Sequence, residues 1–263
     1  MKNLEKPARK YSVPAVNTAF RIITLLSRKK YQKSTLTQIA NALDLNPTTC
    51  FRILQELQEQ SIVKYDEQSK RYILGPYLVV LGERAKEFQY DLSIIDPYLE
   101  KITRETGLTS LLVSKVRSDR TAIVSKVEDE NFGVKISVGR HFDLLDGAYG
   151  KCIMAYANEA DAEYYFNSNE RIINTSPEDF QALKNELIEV KKNGFAISYD
   201  ETIRGIFGVA APIMNFNNQV DLSIAVVGMC AQYKVDELQP IVDVITEYSK
   251  KITLEINKRY KEM

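Results

Sequence analysis

Asn46, Thr48, Thr49, Arg52 and Gln55 place two amides, two short hydroxyls and one guanidinium in a single run. Hydroxyls and amides can bond phosphate oxygens or base edges, and an arginine can grip guanine with two parallel bonds. The same run carries an apolar series, Cys50, Ile53, Leu54 and Leu57, at i, i+3, i+4 and i+7. That spacing is one face of a helix, so the polar groups share the opposite side. Asn46 suits an N-cap, and Pro47 suits the first helical position, where no N–H is needed. A helix with polar, bond-forming groups at its N-terminal end is what reading a major groove requires.

Such a helix must be held by others. Leu36, Ile39, Ala40 and Leu43 form a second amphipathic series just upstream, with Thr35 or Ser34 as its cap and Asp44, Leu45 and Asn46 as the break. Two helices joined so tightly cross steeply, as in a helix-turn-helix. Val16, Ala19, Phe20, Ile23 and Leu26 predict a supporting third helix. Downstream, SIVKYDEQSKRYILG reads as a hairpin: Val63 and Tyr65 alternate with polar residues, DEQS turns, and Tyr72 and Leu74 alternate back. Lys70 and Arg71 stand at the tip of the returning strand, where they would meet phosphate. Three helices and a basic hairpin make a winged helix-turn-helix. A plain helical hairpin in a core leaves the supporting helix and the basic hairpin unexplained.

The charge distribution agrees. The 263 residues carry 35 basic and 35 acidic side chains, yet residues 1–90 hold 15 Lys and Arg against 8 Asp and Glu. The first third is therefore +7 and the remainder −7. A basic module fused to an acidic one fits a DNA-binding domain joined to a domain that stays off DNA. Cys50, Cys152 and Cys230 are odd in number, widely spaced and set in apolar patterns, which predicts no disulfide framework and fits a reducing cytoplasm. MKNLEKPARKYS lacks the apolar core of a signal peptide. No apolar run approaches the ~20 residues of a membrane span.

Residues that tempt a catalytic or metal reading are few. His141 is the only histidine, too little for a zinc site or a Ser-His-Asp or Cys-His enzyme. Gly150-Lys151 lacks the spacing of a phosphate loop, so Lys151 is read as a solvated helix residue. Asp200 and Glu201, as neighbours on a strand, would point to opposite faces. No catalytic residue, metal ligand or cofactor is expected.

Four segments follow: a flexible basic arm over 1–14, the winged helix-turn-helix over 15–76, a linker helix over 77–90, and a second domain over 91–263. The arm touches phosphate or is simply solvated; both readings stand. Leu78, Leu81, Ala85 and Phe88 set the linker helix. Ile95, Leu99 and Ile102 mark the next helix, which Gly107 ends. The period then becomes two in LTSLLVSKV, TAIVSKVE and FGVKISVG. Helices are expected over 148–157, 159–166 and from Ser176 to Asn193-Gly194, the last with acids in its first turn and Lys191 and Lys192 in its last. FAISYDE, FGVAAPIM and VDLSIAVVGM give three more strands, and a long helix from about residue 235 closes the chain. The fold class is α+β, with helices flanking a mainly antiparallel sheet.

Four stretches, in order over nearly the full length, resemble the IclR family of bacterial transcription regulators. They are LTQIANALDLNPTTCFRILQELQEQSIV, RYILGPYLVVLG, GAYGKCIMA and NGFAISYDETIRGIFGVAAPIMN. The resemblance implies a winged helix-turn-helix with a GAF-like effector-binding domain. It implies a homodimer built through the N-terminal domains, often paired into a tetramer through the effector domains. Members repress or activate, and their effectors are commonly small carboxylates, aromatic acids or sugar acids. Carried over by position, the effector site is Gly147, Ala148 and Tyr149, which offer backbone N–H groups to a carboxylate, with Asp200, Glu201, Gly208, Ala225 and Val227. Three departures stand out. Tyr149 is bulky where the family is usually small, and neither Ala225 nor Val227 can donate a hydrogen bond. They point to a pocket that is more apolar or partly filled, which counts against a small hydrophilic acid.

The expected protein is a cytoplasmic, sequence-specific regulator that binds double-stranded operator DNA under control of a small-molecule effector, an organic acid or something more apolar. Two other readings compete. One is a small-molecule enzyme with an N-terminal interaction module; the other is a DNA binder with a degenerate sensor.

Overall fold

The first two helices of the turn motif owe their ends to specific residues. In the computed structural model, which describes residues 13–88, 90–129 and 134–262, α2 (Leu36–Leu43) starts at Thr35. The Thr35 hydroxyl accepts from the Gln38 N–H and the Gln38 side chain accepts from the Thr35 N–H, a reciprocal capping box. Ser34 is not the cap: it is buried, donates to the Tyr31 carbonyl, and pairs its backbone with Tyr72. Asp44, in the left-handed region at φ 52°, turns the chain. Asn46 then caps α3 (Pro47–Glu59) by accepting from the Thr48 N–H at 2.9 Å.

These helices join α1 (Pro14–Leu26), β1 (Val63–Asp66), β2 (Arg71–Leu74) and α4 (Tyr77–Phe88) in one compact unit; the chain divides at 88/89. Ile22, Leu25 and Leu26 of α1 pack on Ile39, Ala40, Cys50 and Leu54, with Val63 and Tyr72 of the hairpin. The expected face of α1 is thus only partly right. Val16 and Phe20 are 52% and 62% exposed. Helix α1 bears two apolar stripes, and periodicity alone does not say which one meets a partner. The predicted arm lies almost wholly outside the described residues.

The second unit holds a six-stranded antiparallel sheet in the order β5-β4-β3-β8-β7-β6. Its strands are β3 (Thr109–Arg117), β4 (Arg120–Val127), β5 (His141–Asp143), β6 (Ala196–Tyr199), β7 (Ile206–Met214) and β8 (Val220–Met229). Helices α5 (Tyr90–Thr106) and α10 (Gln239–Glu262) cover one face, where Leu99, Ile102, Ile245 and Ile252 meet Leu112, Val209 and Val226. On the other face α6 (Gly147–Ala155) and α9 (Pro177–Asn193) bring Cys152 and Val190 against Leu111, Val113, Ala210 and Ala225. Two short helices, α7 (Glu159–Ser168) and α8 (Glu170–Ile173), lie between them in sequence. No helix among the described residues is long and apolar enough to cross a membrane.

The strand expected over FGVKISVG does not form. Its first two residues lie outside the described residues; 134–140 run as a loop, and the strand begins only at His141. Gly139, at φ 81°, turns the chain, so Ile136 is buried while Val138 is exposed.

Leu54 is fully buried at the centre of the first unit. Leu54→Ala is expected to cost about 2–5 kcal/mol, from lost burial plus the cavity left behind. Denaturant unfolding followed by circular dichroism checks this; a loss under about 1 kcal/mol would contradict the packing described.

Candidate nucleic-acid interface and effector cavity

Helix α3 turns Cys50 and Leu54 inward and leaves Asn46, Thr48, Thr49, Arg52 and Gln55 exposed. Burial of the apolar series is what aims the polar side outward. The wing is stiffened at its turn and in the strand pair beside it. Asp66 accepts from the Gln68 and Ser69 amides and the Ser69 hydroxyl, and these bonds hold its carboxyl below the usual range. Tyr65 and Tyr72 face each other across the strands with rings 4.7 Å apart. Lys70 is exposed, in the left-handed region at φ 54°. Arg71 is half-buried and donates to the Lys33 carbonyl at 2.8 Å. That bond and the Ser34–Tyr72 bridge clamp the wing to the segment before α2. The clamp creates an open groove of about 450 Å³ lined by Lys30, Lys33 and Arg71, with Gln38 and Asn41 of α2. Lys30 and Lys33 are neighbours in sequence, but only the clamp brings Arg71 beside them, so sequence reading passed over the group.

In the second unit, α6 begins at Gly147, which is in the left-handed region at φ 71°. Its N-cap, Asp146, makes no capping bond from its side chain. The carboxylate is used elsewhere: it accepts from Arg171 at 2.6 Å and from the Asp143 amide at 3.1 Å. The first-turn amides of α6 are therefore uncapped, and a helix start of this kind favours an anion. Beside them is a small cavity of about 30 Å³. Gly147, Ala148, Tyr149, Gly208 and Val227 line it, joined by Ser198, Thr202, Ile203 and Ile136. Gly208 and Val227 are register partners on β7 and β8, which explains their meeting.

Three other sequence-selected positions lie off this cavity. Asp200 follows β6 in the left-handed region at φ 59° and accepts from the Gly205 amide, bracing the loop before β7. Glu201 is in the same loop and accepts from Lys151 at 2.6 Å. The two acids sit past the strand end, so strand alternation does not govern them. Ala225 is buried beneath α6 in register with Ala210, and its small size admits the helix.

Lys151 is also not the solvated residue expected. Its side chain is only 7% exposed and bonds Glu186 and Glu201, both at 2.6 Å. His141 is exposed, and no group of three or more potential metal ligands exists among the described residues. Cys50 and Cys152 are buried, and burial pushes both thiols up.

The profile of the bacterial transcriptional regulator IclR C-terminal domain matches residues 91–254, and that of the IclR helix-turn-helix domain matches residues 15–67. This chain belongs to the IclR family. It is a DNA-binding transcription regulator and not an enzyme, as its relatives are. An IclR transcriptional regulator from Alicyclobacillus acidocaldarius is 35% identical, covering 94% of this chain and 100% of that one, with a TM-score of 0.83. The DNA-binding transcriptional repressor YiaJ of Escherichia coli K12 is 25% identical over 73% of this chain and 70% of that protein. An IclR homologue from Microbacterium hydrocarbonoxydans complexed with 4-hydroxybenzoate shares the fold at 17% identity, covering 92% and 98% of the two chains with a TM-score of 0.76.

Within this IclR chain, sequence reading missed Ser198, Thr202, Ile203 and Ile136 of the cavity and misread Lys151. Alternation along β6 buries Ala196 and Ser198, a signal available in principle. The partners of Lys151 lie 35 and 50 residues away, so no local signal marks them.

Burial alone would lower the Lys151 pKa, but its bonds to Glu186 and Glu201 outweigh this and the net shift is upward. A raised pKa contributes stability that is complete below the ordinary lysine range and lost as pH climbs through the folded value. Lys151→Met is expected to cost about 1–3 kcal/mol near neutral pH, less than for a fully buried pair because both carboxylates are nearly half exposed. The gap from wild type should narrow at about pH 11, above the ordinary lysine value. Urea melts at the two pH values test this; a gap unchanged by pH would remove the ion pair as its cause.

Proposed function

We propose that this regulator binds a specific operator through α3 and that a small anionic molecule at the α6 cavity controls its affinity. Thr48, Thr49 and Arg52 contact bases, with Asn46 and Gln55 flanking, and Lys70 and Arg71 meet phosphate. Lys30 and Lys33 extend that phosphate track along the groove beside α2. The observation that carries the sensing half is the uncapped start of α6 facing a cavity that also holds a buried hydroxyl, Ser198. The amides of Gly147, Ala148 and Tyr149 receive the anion, while Gly208 and Val227 form the apolar wall. Asp200, Glu201 and Ala225 act at one remove, through the loop and the seat of α6.

The protein works in the cytoplasm, as a homodimer or as a tetramer built from two such dimers. Exposed Val16 and Phe20 on α1 and Val79 and Leu81 on α4 support association through the first unit. The small cavity also supports a second reading, in which the sensor takes no ligand and the protein binds DNA constitutively.

The test is binding of the full chain to its own upstream region and to random duplex across a salt series. Binding should weaken with a log–log slope of about −0.9 per phosphate neutralised. Arg52→Ala should cost about 1–3 kcal/mol on the operator and much less on random DNA. Equal losses on both would leave Arg52 a phosphate contact only. A panel of small carboxylates should then shift operator affinity; if none does, the constitutive reading holds. A ligand acts only by preferring one arrangement of the protein over the other.

A further inference from the structure

We infer that the Tyr149 ring fills the space an effector would occupy and thereby sets the size limit of the ligand this regulator accepts. The inference rests on the reading of the α6 cavity as the effector site. A Cβ built on Gly147 would lie 3.1 Å from Cε1 and Cζ of Tyr149 and 3.3 Å from its hydroxyl. The ring is therefore folded back over the first residue of its own helix, beside the uncapped amides. Phe142 packs on it with centroids 5.2 Å apart, and Arg140 lies 5.0 Å from the Phe142 ring. Burial, and then the charge of Asp146, push the phenol up, so it stays neutral in place. The Tyr149 carbonyl accepts from the buried Ser223 hydroxyl at 3.2 Å, which anchors the backbone.

What remains is about 30 Å³. That holds a water or two, against about 300–1,000 Å³ in ordinary ligand sites and about 150 Å³ for a benzene-sized void. Gly208 and Ala148 add almost no side chain to the lining, while Ile136, Ile203, Ile206, Phe207 and Val227 form its apolar walls. Among these residues Tyr149 is the one folded over the start of α6, so its ring takes the space beside the first-turn amides. Without the ring, the site would take a planar phenol or aromatic acid, its polar end at the α6 amides and Ser198.

The test uses the full chain as wild type, Tyr149→Phe and Tyr149→Ala, with phenol and 4-hydroxybenzoate as probes. Calorimetry and thermal shift read binding. Tyr149→Ala should bind at least one probe tenfold or more tightly than the other two proteins, with Tm rising as the probe saturates. Equal affinity in all three, or no binding to folded Tyr149→Ala, would overturn the inference. If Tyr149→Ala folds only with phenol present, the inference is supported. If it fails to fold even then, Tyr149→Leu, which keeps apolar packing against Phe142, takes its place with propionate as probe. There, tenfold tighter binding than wild type supports the inference, and equal binding overturns it. A probe that binds the variant without shifting operator affinity would sink the effector reading but leave the role of the ring intact.

Discussion

The close approach of α6 to the sheet is the constraint on which the second unit depends. A Cβ on Gly150 would lie 2.3 Å from the Leu144 carbonyl, so only glycine lets the helix start this near the preceding loop. Ala210 and Ala225 keep the sheet low beneath it, and the Cys152 thiol reaches the Ala210 carbonyl at 3.3 Å. From that approach the rest follows. Lys151 is carried into the interior, where it is held only because Glu186 and Glu201 reach it from two other elements. Tyr149 is carried over the start of its own helix, and the cavity shrinks.

The network around Asp143 and Asp146 complements this seat. Tyr165 and Asn169 donate to Asp143, and Arg171 donates to Asp146. These bonds occupy the two carboxylates nearest the start of α6. An N-terminal aspartate would ordinarily cap the helix; here tertiary partners take it, and the first-turn amides stay available. The site is thus made as much by what is diverted from it as by what lines it.

The first unit follows a simpler logic. A small core around Ile22, Ile39, Cys50 and Leu54 fixes the rotation of α3, and that rotation aims Thr48, Thr49 and Arg52 outward. The wing is tied to the same body by one backbone bridge and one arginine bond. The positive charge of this part of the chain then has a surface on which to act together, and the net negative charge of the remainder disfavours its contact with DNA.

Much of this was legible in the residues themselves. Local rules sufficed where cause and effect are neighbours in the chain: a hydroxyl cap at Ser34 or Thr35, which falls at Thr35, the N-cap at Asn46, the helix opening at Ser176, and five of the six period-two stretches read as strands. The outward face of α3 followed from its apolar series alone. Periodicity failed where two stripes were equally apolar, as on α1, and where a glycine turn broke an alternating run, as at Gly139. The cavity at α6 was legible only in part. Gly147, Ala148, Tyr149, Gly208 and Val227 meet there, but Asp200, Glu201 and Ala225 serve the loop and the helix seat. The burial of Lys151, the diversion of Asp146 and the placement of the Tyr149 ring depend on partners dozens of residues away or on the space left after packing. Only the tertiary structure decided them, because volume and long-range pairing are properties of the packed chain and not of any local stretch of it.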